Sequence, residues 1–198
     1  VKEYHEKAKE YHEKAKEYYE KAREYYEKSF AIAEQLAKET NTVEARRDLS
    51  LSYDRLGDIY ESEGDIAKAK EYHEKTLTIF EQLAAETNTV LARRDLSISH
   101  EKLGHIYKSE GNTAKAKEYY EKSLAIFEQL AAETNTVRAR RVLASSYTQM
   151  SYICQGEEKR EYLQKALNIM NALCEQCPDI AIYKQQRDII QSEIYWLD

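Results

Sequence analysis

The 198-residue chain carries a formal net charge of −6, with 33% charged residues but only five Gly, one Pro and three Cys. That balance excludes a general nucleic-acid binder, which needs a basic surface to displace counterions, and the scarcity of Gly and Pro points to a nearly all-helical chain. No apolar run approaches the ~20 residues that cross a bilayer, no basic-then-apolar leader opens the chain, and an odd, small cysteine count suits a reducing compartment; a cytoplasmic protein without a membrane span is expected.

Residues 1–28 read VKEYHEK, AKEYHEK, AKEYYEK and AREYYEK, four near-copies of seven residues. One long helix is predicted from near residue 2 to about Glu39. Ala8, Ala15 and Ala22 fall at heptad position a, and Tyr4, Tyr11, Tyr18 and Tyr25 at d. Glu3–Lys7, Glu10–Lys14, Glu17–Lys21 and Glu24–Lys28 are i,i+4 pairs in the favourable order, each worth about 0.2–0.5 kcal/mol. Ala8–Lys14 is identical to Ala69–Lys75, and Ala15–Lys21 to Ala116–Lys122. The amino terminus is therefore built from slices of a helix used again later. Gene slippage and deliberate extension both account for such copying. Residues 1–21 form a heptad extension whose Ala and Tyr face has no partner of its own, so Tyr4, Ala8, Tyr11, Ala15 and Tyr18 are candidates for self-association.

A unit of 47 residues follows and repeats. Leu49–Asp95 and Leu96–Val142 align without gaps, with 34 identical positions and 13 differences. A fixed period of this size signals stacked helical units, each contacting only its neighbours. Within a copy, Leu49, Tyr53, Leu56, Ile59 and Tyr60 recur at helical spacing, as do Ala69, Tyr72, Thr76, Leu77, Phe80 and Leu83. Gly64 and Gly111 suit the left-handed residue closing the first helix, and Asp65 or Asn112 can cap the second. The ETNTV runs at Glu39–Val43, Glu86–Val90 and Glu133–Val137 separate one unit from the next. Residues 22–48 form a partial unit, aligning with 69–95.

The unit at 143–178 is degraded. Tyr147 and Met150 keep two of its positions, while Ser151 and Cys154 replace Gly and Tyr, and Gly156 marks the turn. Glu161–Ala166 resumes the second-helix pattern, and Pro178 ends it. Residues 179–198 read as a terminal capping helix with Ile182, Tyr183, Ile189, Ile190, Ile194 and Trp196. The predicted helices are eight: the first, then 43–63, 66–87, 90–110, 113–134, 137–155, 157–177 and 179–197.

These residues resemble the tetratricopeptide repeats. The family's aromatic, Leu-Gly, Tyr, small, aromatic, small series stands as Tyr53, Leu56-Gly57, Tyr60, Ala69, His73 and Thr76. In the second copy it stands as His100, Leu103-Gly104, Tyr107, Ala116, Tyr120 and Ser123. The 47-residue period exceeds the family's usual ~34, and the Pro that ends the unit is missing, which resembles the long-helix subclass typified by kinesin light chains. The resemblance implies an all-α, right-handed superhelical solenoid of antiparallel helix pairs, with the long N-terminal helix and the C-terminal cap at its ends.

Where the two copies disagree, Leu51/Ile98, Asp54/Glu101, Asp58/His105 and Glu61/Lys108 form one stripe of the first helix. The third unit offers Ser145, Thr148, Tyr152 and Gln155 there. In the family such a stripe lines the concave groove that receives a peptide. One turn upstream stand Arg47, Arg94 and Arg141, whose planar forks suit carboxylates; they can equally pair with their own acids, such as Asp48 or Asp95. The functional expectation is a non-catalytic scaffold binding a protein or peptide, with homo-oligomerisation through residues 1–21. The alternative is a structural or engineered repeat without a ligand.

Catalytic, cofactor and metal sites are not read from the sequence. Phosphate loops, HExxH and GxSxG are absent. His5 and His12 lie two turns apart, about 10 Å along the axis, too far to share one ion. Cys174-Glu-Gln-Cys177 falls at a helix C-terminus, where the dipole disfavours thiolate, so inert thiols are the simpler reading.

Overall fold

The computed structural model describes residues 2–197, except the side chains of Lys2, Glu3, His5, Ala8, His12, Ala15, Lys16 and Tyr19. It contains eight helices and no strand among the described residues: α1 (Lys2–Thr40), α2 (Val43–Ser62), α3 (Ile66–Thr87), α4 (Val90–Ser109), α5 (Thr113–Thr134), α6 (Val137–Ser151), α7 (Gly156–Gln176) and α8 (Ala181–Tyr195). No helix among the described residues is long and apolar enough to cross a membrane.

The punctuation explains the boundaries. Asn41, Asn88 and Asn135 adopt φ of 48°, 47° and 46°, the left-handed conformation Asn tolerates better than most residues. The third residue after α1, α3 and α5 begins the next helix. Thr42, Thr89 and Thr136 accept from the backbone N–H of Ala45, Ala92 and Ala139 at 3.2, 3.1 and 3.1 Å, the N-cap bond that satisfies a donor left over in the first turn. At the turn inside each unit, Gly64 (φ 82°) and Gly111 (φ 76°) reverse the chain. Asp65 N–H donates to Tyr60 O and Asn112 N–H to Tyr107 O, both at 2.8 Å, the bond that closes a Schellman motif.

The end of α6 departs from expectation. It stops at Ser151 rather than near 155, because the chain tightens there: Tyr152 N–H reaches Gln149 O and Ile153 N–H reaches Met150 O, both three residues back at 3.1 Å. Bonds of that span belong to a 3₁₀ turn and do not propagate. Gly156, at φ +55°, then opens α7 instead of closing α6. The last helix is likewise shorter than 179–197, starting at Ala181 after Pro178 and ending at Tyr195.

Two compact units result, residues 1–86 and 87–198. In the first, α1 packs on α2, Ala33 and Ala37 are buried on α1, and Phe30 meets Tyr53 with ring centroids 5.0 Å apart. Tyr72 of α3 stacks on Tyr60 of α2 at 5.4 Å, and Thr76 Oγ1 donates to Ser50 O at 3.2 Å. In the second, α4 packs on α5, α5 on α6, α6 on α7 and α7 on α8. Leu103, Ile106, Met150, Leu163 and Leu173 are wholly buried at its centre.

Two glycines set the helix spacing. A Cβ on Gly57 would lie 2.6 Å from the His73 ring, and one on Gly104 would lie 2.7 Å from the Tyr120 ring. Each first helix thus carries a bare backbone patch onto which the second helix lays a ring. Ala69 and Ala116, completely buried, keep the paired helices equally close.

Candidate peptide-binding groove

In the second unit the variable stripe of α4 becomes one wall of a hollow. Ile98, Glu101 and His105, with Arg94 a turn ahead, face Arg138, Arg141, Ser145 and Gln149 of α6 and Gln186 of α8 around about 570 Å³. A smaller hollow of about 180 Å³ shares Ser145 and Gln186 and adds Thr148 of α6, Tyr152 just past its end, and Ile189 and Ile190 of α8. Helical spacing does this: positions three and four apart on α4 and α6 present their side chains to one side, and α8 completes the wall beyond α7.

The hollow's electrostatics are uneven. Arg94 Nη2 donates to Asp95 at 3.1 Å, as the self-pairing reading of these arginines expects, yet its Nε is buried without a hydrogen-bond partner. Arg141 is exposed. Burial raises the Glu101 carboxyl above the ordinary range, an effect the hydrogen bond from Gln149 partly offsets. Nδ1 of His105 and the Tyr120 hydroxyl share a hydrogen bond of 2.9 Å, and burial, aided by the Glu101 charge, holds that phenol protonated far above neutral pH.

The other stripe residues have separate settings. Lys108 holds its ammonium 5.5 Å over the Tyr152 ring, whose hydroxyl donates to Glu193 of α8 at 3.0 Å. Gln155 is the N-cap residue of α7. Arg47, Leu51, Asp54, Asp58 and Glu61 lie along α2 of the first unit. There Asp54, Asp58 and Glu61 turn their carboxylates toward His73 of α3. On α1, Tyr4, Tyr11 and Tyr18 are 82, 73 and 74% exposed, while the side chains of Ala8 and Ala15 lie outside those described.

The three cysteines carry free thiols. Cys154 and Cys174 are buried and Cys177 is half-buried. Burial pushes the Cys154 thiol up to about 11, with the Glu158 carboxylate contributing. Such a thiol is a poor nucleophile at neutral pH.

One periodic feature escaped the sequence reading. The arginine preceding each expected groove arginine crosses to the end of the next helix: Arg46 to Glu86, Arg93 to Glu133 and Arg140 to Gln176. Arg93 grips Glu133 with both guanidinium nitrogens, and the two acid pairs are each 40 residues apart in sequence. The signal was present in the repeats, since Arg93 and Glu133 stand at the places of Arg46 and Glu86 one period on.

The tetratricopeptide-repeat family matches at residues 51–82 and 99–129. Two segments of the chain are thus similar to tetratricopeptide repeats. The match begins within α2 and ends within α3, then does the same across α4 and α5, so each repeat is one of the helix pairs described above. Among solved structures, the nuclear import adaptor Nro1 of S. pombe superposes with a TM-score of 0.59 at 14% identity over 83% of this chain, which spans only 56% of the Nro1 chain. BtubC (BKLC) from P. vanneervenii superposes with a TM-score of 0.51 at 16% identity over 90% of each chain. At such identities the likeness is one of fold. No curated protein sequence matches the chain.

Proposed function

We propose that the chain is a non-catalytic cytoplasmic scaffold whose second unit binds a peptide carrying acidic side chains or a free C-terminal carboxylate. The observation that carries this reading is the hollow between α4, α6 and α8, lined by Arg94, Arg138 and Arg141 beside the side chains in which the copies differ. Its volume falls in the usual range for small ligand sites, about 300–1,000 Å³. The buried, unpartnered Nε of Arg94 is a donor that a carboxylate would satisfy. Ile98 and Phe127 supply apolar wall, and Lys108 of α4, Thr148 of α6 and Tyr152 just past its end extend the surface. Arg47, Leu51, Asp54, Asp58 and Glu61 take the corresponding register positions on α2 of the first unit.

The test is fluorescence anisotropy with peptides ending in free or amidated acidic residues. Binding that requires the free or acidic carboxyl, weakens at high salt and falls at least tenfold in Arg94→Glu and Arg141→Glu supports the reading. Binding indifferent to both substitutions overturns it.

A second reading rests on α1. Tyr4, Tyr11 and Tyr18 recur every seventh residue and are mostly exposed, a seam suited to a second copy of this chain. Sedimentation should show concentration-dependent dimers that a chain starting at Ala22 does not form. A monomer at high micromolar concentration overturns this reading, leaving α1 as a rod.

A further inference from the structure

His73 is 1% exposed, and neither ring nitrogen makes a hydrogen bond. A buried imidazole without a partner is costly, because desolvation of its polar atoms goes uncompensated. Its surroundings are three carboxylates. Asp54 Oδ1 lies 3.4 Å from Nδ1, while Asp58 Oδ1 and Glu61 Oε2 lie 3.8 and 4.0 Å from Nε2.

We propose that Asp54, Asp58 and His73 form a binding site for a divalent first-row transition-metal ion, with Glu61 at its solvent side. One ligand atom from each of the three lies within 4.8 Å of the others. Two atoms each about 2.1 Å from a tetrahedral ion stand about 3.4 Å apart, so side-chain rotation must close the widest separation in the cluster by up to about 1.4 Å. One nitrogen and two or three carboxylate oxygens suit Zn²⁺, Co²⁺ or Mn²⁺ better than Ca²⁺, which takes oxygen alone.

The helices pre-arrange these groups. Asp54 and Asp58, four apart on α2, share one face. Between them Gly57 leaves the backbone bare, and the His73 ring lies against it so closely that a Cβ would come within 2.6 Å of Cε1. The ring therefore cannot swing toward α2. Asp58 and Glu61 are 52 and 43% exposed, which gives an ion a route from solvent.

The second repeat supplies an internal control. At the same four places it carries Glu101, His105, Lys108 and Tyr120, four of the 13 differences between the copies. There the Tyr120 hydroxyl and His105 Nδ1 satisfy each other at 2.9 Å. In place of that hydrogen-bonded pair, the first repeat has a ring surrounded by acids. This site belongs to the first unit and stands independently of the peptide reading.

The experiment is titration of the full chain with Zn²⁺ by calorimetry, and with Co²⁺ by its visible absorption, beside melting curves. One ion should bind per chain, more tightly at pH 7.5 than at pH 5.5, since the ligands must be deprotonated. It should raise the melting temperature. His73→Tyr, which installs the second repeat's residue and so keeps the fold, should abolish binding at this site and the thermal shift, and Asp58→Asn should weaken binding at least tenfold. Absence of binding overturns the proposal, as does binding that survives His73→Tyr and disappears only when His5 and His12 are replaced by Ala.

Discussion

The same seven residues, AKEYHEK, occur at 8–14 in α1 and at 69–75 in α3, and they lead different lives. Both copies are helical, and both close the same ion pair, Lys14 to Glu10 and Lys75 to Glu71, at 2.6 Å. Yet Tyr11 is 73% exposed, while Tyr72 is half-buried between Tyr53 and Tyr60, 5.9 and 5.4 Å away. Local sequence settled the helix and its i,i+4 bonds. Burial came from the presence of a preceding helix, α2, which α3 has and the start of α1 lacks. Tyr25 makes the point within α1 itself: it aligns with Tyr72 by sequence register but is 73% exposed, even though Phe30, a turn later, already meets α2.

The largest expected contrast is therefore at the tyrosine. Tyr72→Ala removes a ring packed on two others, and truncation of a half-buried aromatic should cost roughly 2 kcal/mol. Tyr11→Ala should fall within about 0.5 kcal/mol of the parent, as substitutions at exposed sites do. Urea unfolding of both variants, followed by circular dichroism, measures the difference. Equal losses would mean that the heptad face is already covered, which points to association through α1 at the concentration used.

A second contrast lies between the repeats and depends on pH. Tyr53 and His100 occupy one repeat position. Burial, helped by the Lys122 charge, lowers His100 to about 4 from its ordinary 6.5. The unfolded chain binds a proton between those values while the folded chain does not, so the neutral ring's contribution is complete above about 6.5. It is lost progressively as pH falls toward about 4 and is flat below. Melting temperature measured from pH 7.5 to 4 should fall less steeply in His100→Tyr than in the parent. Parallel slopes would show that folding leaves the proton affinity of His100 unchanged.

How far the sequence carried the reading follows from which forces are local. Helix ends were legible because Gly64, Gly111 and the ETNT segments act through backbone conformation and capping, which depend on a few neighbouring residues. The end of α6 was not, since Ser151 and Cys154 broke the repeat pattern and a tightened turn replaced the glycine stop. The stripe on α4 was legible as a face, and six of its residues and their α6 counterparts line one hollow. Its chemistry was not. The pairing of Arg94 with Asp95 was only one of two options, and the crossings from Arg46, Arg93 and Arg140 join residues 36 to 40 apart. His73 was legible as the ring of a repeat, and Asp54, Asp58 and Glu61 as a stripe. Only the packing of α3 onto Gly57 turns them toward one point.

The smallest expected contrast concerns the lysines of the two heptapeptides. Their ion pairs have equal length, and exposed i,i+4 pairs contribute little. Lys75, however, also sets its ammonium 5.6 Å from the Tyr53 ring and 5.0 Å from the Tyr72 ring, so it spans from α3 to α2. Cation–π contact at an exposed site is worth about 0.5–1 kcal/mol. Lys14, whose described partner is Glu10, is 60% exposed on a helix with no such neighbour at that end. Lys75→Ala should accordingly lower the unfolding midpoint measurably, and Lys14→Ala should leave it unchanged while slightly reducing helix content near the amino terminus. Lys75→Gln keeps the length of the stem and removes the charge, so a midpoint as low as that of Lys75→Ala assigns the loss to the cation over the rings. A midpoint restored by Gln would assign it instead to the stem packed along α2, and the two heptapeptides would then differ in apolar contact alone.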